Sequence, residues 1–304
     1  MQAQAQTTRG RADVERAAAW RAPSILPLDG LVQIANAALS SAVLWRYHVL
    51  PHAAAFVTCH VLLAVSVFVL GRRYDAQAPL FEPLAFLHAW LPAVFILGMY
   101  FELGLLIPLL RDYSDLRFDR ALQDIDVWLL GDPLALVERY GSALLSDVLT
   151  LCYFAYYPLA LLMPATLYVH GDKREFQRAA TIILVGFVVS YVGYVAWPAL
   201  GPHRVFDARR PMVLDGYGLS QVAYEWLLAV PHEPPDAFPS GHALISMLVP
   251  ALAWPTHRKL FYVCTPICVG IVLATLYLRL HYVADVLAAL LIAPVCYRLG
   301  RAMS

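Results

Sequence analysis

Charge is what this chain has least of. Of 304 residues, 14% are Asp, Glu, Lys or Arg and 60% are hydrophobic. A soluble domain carries about 25% charged residues, so a water-soluble globule is excluded. Neither sign prevails, since 22 basic and 22 acidic residues cancel. Without a cationic surplus nothing favours a nucleic-acid partner. Cysteine is scarce as well. Cys59, Cys152, Cys264, Cys268 and Cys296 all lie in apolar runs, and the one close pair is a C-x3-C. They are expected as buried helix cysteines, with neither a disulfide framework nor a metal site. A cleavable leader is not expected either. Polar residues 1–23, with Arg9, Arg11, Arg16 and Arg21, are not followed by a short apolar stretch and cleavage site. They are expected to form a solvated arm or an interfacial helix on the cytoplasmic side.

What the chain does have is a succession of apolar runs, most of them roughly 17 to 25 residues long, the length that crosses a bilayer. Eight candidates fall at 28–46, 53–70, 84–110, 144–169, 179–199, 242–254, 261–278 and 283–297. The first is interrupted by Asp29, Gln33 and Asn36, and the sixth and eighth are short. The fold expected is all-α, a polytopic transmembrane helix bundle of about six to eight spans with an interfacial amphipathic segment. Four regions follow: a polar tail at 1–24, N-terminal transmembrane helices at 25–110, the interfacial segment at 111–142, and a catalytic transmembrane core at 143–304.

The segment 111–142 is the most charged. Asp112, Asp115, Arg117, Asp119, Arg120, Asp124 and Asp126 precede Gly131-Asp132-Pro133, while Leu122, Ile125, Val127, Leu129 and Leu130 give a partial apolar face. It reads as an amphipathic element that either caps a site or connects two spans. His60 and His88, inside apolar runs, read as satisfied core histidines. Orientation follows from the short loops. Eight spans put Arg72-Arg73, Lys173-Arg174, Arg178, Arg258-Lys259, Arg298 and Arg301 on the side of the N-terminal arginines. The positive-inside rule makes that side cytoplasmic. The loops after the fifth and seventh spans then emerge together on the exoplasmic side.

Those loops carry the chemistry. In Phe238-Pro239-Ser240-Gly241-His242, Ser240 is placed to cap the sixth span. A helix start also offers backbone N–H groups to a phosphate. In Arg279-Leu280-His281-Tyr282-Val283-Ala284-Asp285, His281 and Asp285 stand four apart, so one helical face brings the carboxylate to the imidazole. Ionisable residues at a membrane boundary are costly and point to function. The competing reading, an interfacial snorkelling cluster, does not explain Asp285 inside an apolar run. One histidine to attack phosphorus and one to protonate a leaving oxygen suffice for phosphoryl transfer. In the loop ahead of both motifs, His203, Arg204, Arg209 and Arg210 gather where the two emerge. Arginine suits phosphate oxygens, though ordinary interfacial arginines remain the alternative.

Pro-Ser-Gly-His on one helix start and His-x3-Asp two spans later resemble the type 2 phosphatidic acid phosphatase superfamily, over residues of about 140 to 299. Leu200-Gly201-Pro202, the phrase around His281, and Gly131-Asp132-Pro133 look more like its inositol phosphorylceramide and sphingomyelin synthase branch. The resemblance implies His281 as nucleophile, His242 as proton donor to the leaving group, and Asp285 as the carboxylate that polarises His281. It implies Ser240 and the Gly241 amide on the phosphate. Arg204, Arg210, Arg279 and His203 are further phosphate-binding candidates. The first family motif, Lys-x6-Arg-Pro, is matched at Arg210-Pro211 but has His203 in the lysine position. The third-motif arginine slot holds Thr275, with Arg279 two before His281. On a straight helix Arg279 faces away from His281, so either the turn is irregular or Arg279 serves elsewhere. The implied enzyme is a lipid phosphate phosphatase or phosphotransferase without cofactor or metal. It takes a membrane phospholipid or polyprenyl phosphate, with water or an alcohol as acceptor. A head-group transferase is the alternative. A transporter, which predicts inverted repeats, and a catalytically silent lipid-binding member are the rivals.

Overall fold

The computed structural model describes residues 26–73, 79, 82–206, 211–229 and 234–304. Among the described residues there is no strand, only an isolated bridge between Ala199 and Asp236. The same residues form twelve α-helices. The first three are α1 (Pro27–Trp45), α2 (Ala53–Arg72) and α3 (Pro83–Leu110). Next come the short α4 (Arg117–Leu130) and α5 (Pro133–Tyr140), then α6 (Ala143–Val169) and α7 (Lys173–Ala196). After α7 come α8 (Pro202–Val205) and α9 (Leu219–Leu228). The chain closes with α10 (Gly241–Thr256), α11 (Arg258–Tyr277) and α12 (Val283–Met303).

Seven of these, α1, α2, α3, α6, α7, α11 and α12, are long and apolar enough to cross a membrane. The protein is therefore an integral, multi-pass membrane protein. The sixth apolar run is the exception. Helix α10 has 16 residues, roughly 24 Å against a hydrocarbon thickness of about 30 Å. It lies in the centre, packed on α6, α7, α11 and α12. Leu244, Ile245, Leu248 and Val249 are buried among them. A helix enclosed by protein need not match the lipid. Helix α7 begins earlier than its apolar run because Lys173 and Arg174 sit in its first turn, capped by Asp172. Of the cysteines, Cys264, Cys268 and Cys296 are buried, Cys152 is half-buried and Cys59 faces outward.

The N-terminal helices attach to this bundle through α7. The polar residues that interrupt the first apolar run are the ones that meet partners. Asn36 Nδ2 donates to the His60 carbonyl, and its Oδ1 lies 2.6 Å from His60 Nδ1. His60 Nε2 stands 2.9 Å from Glu102, and His88 Nε2 stands 2.9 Å from Asp29. All five side chains are buried, so the two histidines are core residues with polar partners, and α1 keeps its polar groups by pairing them.

The turn between α6 and α7 and the turn between α10 and α11 share one end, where the His170 and His257 rings are 5.8 Å apart. The opposite end carries α4, α8, α9 and both motif loops. There α4 lies against α12. Its docked face is Asp119, Leu122 and Asp126. Ile125, Val127, Trp128, Leu129 and Leu130 point outward, Trp128 being 82% exposed. An interfacial helix placed this way offers lipid its apolar side and protein its carboxylates.

Candidate active site

Two loops and two helix starts build the site. Ser240 Oγ accepts from Ala243 N and so caps α10. This sets the helix axis, with its positive end at His242. On the other loop, α11 ends with Arg279 in the left-handed region, φ 61°. Leu280 N and His281 N both donate to the Thr275 carbonyl. This irregular turn reverses the chain at once and leaves His281 just ahead of α12. Asp285 Oδ2 accepts from Tyr282 N at 2.8 Å, so the carboxylate caps α12 as well as facing His281. The motifs are then stitched together. Ser240 N donates to the Asp285 carbonyl, and Ala237 N to the Ala199 carbonyl.

The stitching brings the two imidazoles into contact. His281 Nε2 lies 3.4 Å from His242 Nδ1. His281 Nδ1 lies 3.0 Å from the Ala237 carbonyl and 3.4 Å from Asp285 Oδ2. A carbonyl can only accept, so Nδ1 carries the proton and Nε2 keeps its lone pair. His281 and Asp285 are buried. His242 packs on Tyr153, ring centroids 4.6 Å apart and stacked, and on Tyr156 at 4.2 Å. Its Nε2 is buried without a hydrogen-bond partner among the described residues.

The phosphate-binding candidates are placed unevenly. Arg204 is exposed on α8, and its charge reaches Asp236 and Tyr113. His203 N donates to the Arg279 carbonyl, and its ring faces Tyr224. Gly201 is held at φ 92°, and a Cβ there would stand 2.6 Å from the Leu280 carbonyl. Gly241 is tight too, since its Cβ would meet the Tyr194 hydroxyl at 2.5 Å. Arg279 is buried, and its charge reaches Asp126. Arg209, Arg210 and His232 lie outside the described residues.

Several residues of this end carry no motif. Asp119 Oδ1 accepts from Leu200 N, Gly201 N and the Tyr282 hydroxyl at 2.9 to 3.0 Å. Asp126 Oδ1 accepts from Val283 N at 2.8 Å. Segment 111–142 therefore does more than connect, because it clamps the His281 turn to the Arg204 turn. Burial pushes both carboxyls above the usual carboxylate range, against the pull of those donors. Asp236 Oδ2 accepts from the Tyr100 hydroxyl of α3 at 2.9 Å. Its burial raises its carboxyl too, opposed by the His281 charge and the Tyr100 bond. The spacing of Asp119 and Asp126, two helical turns, was the available signal for the clamp. The pairing of Asp236 with a tyrosine 136 residues away had none.

This end can thus hold one nucleophilic nitrogen and one proton-carrying ring side by side, away from bulk water. Residues 120–299 match the family model described as the PAP2 superfamily. Neither a curated protein nor a solved structure matches the chain. The match spans more than half of the chain and contains both motifs. The chain belongs to the PAP2 superfamily, a group of phosphatases and phosphotransferases acting on phosphate esters.

Proposed function

We propose that this PAP2 superfamily member transfers a phosphoryl-bearing group from a membrane phospholipid or polyprenyl (di)phosphate through a phosphohistidine on His281. The observation that carries the reading is the contact of His281 Nδ1 with the Ala237 carbonyl, which sets the tautomer of that ring. Its Nδ1 proton is committed to Ala237 and Asp285, so Nε2 is the nucleophile and it points at His242. The Nε2 lone pair attacks phosphorus as the ester P–O bond breaks, and His242 gives its proton to the departing oxygen. The imidazolium that forms is offset by the Asp285 carboxylate. In the second half His242 takes a proton from the acceptor, whose oxygen displaces the histidine and restores the starting state. Rings 3.4 Å apart nitrogen to nitrogen leave no room for phosphorus between them. Substrate entry therefore swings His242 away from His281, toward the form in which its unpartnered Nε2 can serve.

Ser240, the Gly241 amide, Arg204, Arg210, Arg279 and His203 are assigned to the phosphate oxygens. Arginine and helix N–H groups supply charge stabilisation without a metal in this scheme. The arginine and lysine residues at the α6–α7 and α10–α11 end support a cytoplasmic position for that end. The site then lies at the exoplasmic face.

Transfer to an alcohol, as in a head-group transferase, is the second reading. Tyr153 and Tyr156 against His242 favour it, because an aromatic wall beside the proton carrier suits a lipid alcohol better than bulk water. The test is a rapid quench with phospholipid radiolabelled in its phosphate. An acid-labile, base-stable protein label is expected in the wild type and none in His281→Ala. A wild type that turns over with no such label overturns the scheme. Product analysis with and without an acceptor alcohol, in EDTA, separates hydrolysis from transfer.

A further inference from the structure

Away from the histidines, Arg111 stands at the mouth of an apolar groove at the same end of the molecule, with Arg46 in the hollow beside it. The groove, about 390 Å³, runs between α1, α3 and α7, with Ala38, Leu39, Met99, Leu103, Val188 and Val192 among its walls. Among the described residues that line it, only Tyr191 and Arg111 are not apolar. A second hollow of about 500 Å³ adjoins it, sharing Leu110 and Arg111, and takes in Arg46, Asp112, Tyr113 and Ser114. Arg46 and Arg111 directly follow the last residues of α1 and α3. Both therefore sit at the level where spanning helices leave the hydrocarbon.

The charges at this rim are not spent on each other. Arg111 gives one N–H to the Ala196 carbonyl at 3.0 Å, which leaves most of its five donors. Arg46 Nε is buried with no hydrogen-bond partner among the described residues, while its guanidinium lies over Trp45. Asp112, the acid at the rim, is engaged by Ser114 N and Oγ at 3.0 and 2.7 Å. Apolar walls leading to a cationic rim match one chemistry in a membrane, an acyl chain ending in an anionic phosphate. An apolar cavity of this kind does not hold water.

The geometry points to a phospholipid site here. One acyl chain of an anionic phospholipid lies between α1, α3 and α7, with its phosphate under Arg46 and Arg111. Arg46, Arg111 and all of α1 and α3 precede residue 120, where the family match begins. The groove nevertheless backs onto the catalytic wall. Tyr191 lines it and lies 5.7 Å from Tyr194 and 6.3 Å from Tyr100, whose hydroxyl holds Asp236. Lipid occupancy at the site is independent of any turnover.

The test uses the full chain with a photoreactive amino acid in place of the outward-facing Val192. The protein is placed in nanodiscs of equal parts dioleoylphosphatidylcholine and a phosphonate analogue of dioleoylphosphatidic acid, which cannot be hydrolysed. Adducts are identified by mass. The phosphonate lipid is expected to be enriched roughly tenfold, the preference that one charge-assisted hydrogen bond more than a zwitterionic head group makes would give. Arg46→Gln should return the ratio to near parity, and Ala38→Trp, from an outward position, should suppress both adducts. Equal labelling by the two lipids in the wild type overturns the anionic head-group site. An adduct to protein, whether a second copy or another segment of this chain, overturns the lipid as occupant. Neither result bears on the phosphohistidine, which the quench measures separately.

Discussion

Removing the Asp119 carboxylate should disable the site from outside it. A single oxygen, Oδ1, accepts from Leu200 N, Gly201 N and the Tyr282 hydroxyl, and Asp119 is 1% exposed. In Asp119→Ala two buried donors and the half-buried Leu200 N lose their acceptor, at about 1 to 3 kcal/mol for each buried one, or about 2 to 6 kcal/mol before water relaxes the gap. Asp119→Asn keeps an acceptor oxygen in place and should cost far less. The rate is expected to follow the geometry. Tyr282 adjoins His281 and Gly201 adjoins the Arg204 turn, so a shift of about 1 Å costs on the order of 10²-fold in turnover. There is a pH signature as well. Burial holds the folded carboxyl above its usual 3.8. Its contribution to stability is then full below that value and is lost as pH rises through the folded one. Asp119→Asn, always neutral, should lack this loss. Thermal unfolding in detergent across pH and lipid phosphate turnover measure the two effects. An Asp119→Ala protein with wild-type unfolding temperature and wild-type rate would refute the clamp.

The other expectations concern the site itself. His281→Ala and His242→Ala should each abolish turnover while keeping the wild-type gel-filtration profile; normal activity of either purified variant at saturating lipid removes it from the mechanism. Asp285→Asn can still accept from Tyr282 N, and Ala237 still holds His281 Nδ1, so the rate should fall roughly 10²-fold, the low end for such a group. Full activity would mean the carboxylate does not act on His281. Gly201→Ala must place a Cβ against the Leu280 carbonyl at φ 92°. A loss of about 1 to 3 kcal/mol in stability is expected from strain of that kind, and unchanged unfolding would show that the turn yields.

Most of the helical architecture was legible because the hydrocarbon imposes a length on apolar runs, and seven of them meet it. The pair His281 and Asp285 was legible for a similar reason, since a helical period of 3.6 fixes what four residues of separation means. Helix α10 was harder to read. Its run is cut short where Ser240 and His242 belong to the site, and only packing shows that it lies at the centre rather than in lipid. The partial apolar face of α4 gave the right element, and all of it but Leu122 points away from the docked side. Amphipathicity tells which face prefers oil, and here oil lies outside, so the buried face is the one with Asp119 and Asp126. The Ala237 carbonyl had no signal, because any residue supplies a carbonyl and only the loop path aims it. The same holds for Asp236 and Tyr100, joined by folding alone.

The stretch that matches the family supplies His242, His281 and Asp285, yet the hydroxyl bonded to Asp236 comes from Tyr100 on α3, before residue 120. The Arg111 side chain at the end of α3 also ties that helix to the last turn of α7 through Ala196. Helix α7 in turn leads into the loop bridged to Asp236. Asp29, Asn36 and Glu102, paired with His88 and His60, hold α1, α2 and α3 in register so that Tyr100 arrives at its place. Disrupting a buried pair such as Glu102 with His60 strands a polar group in the membrane interior. The damage should therefore appear at the site end as well as in stability. Through Tyr100, α3 is accordingly part of the wall of the candidate site, and α1 and α2 brace it there.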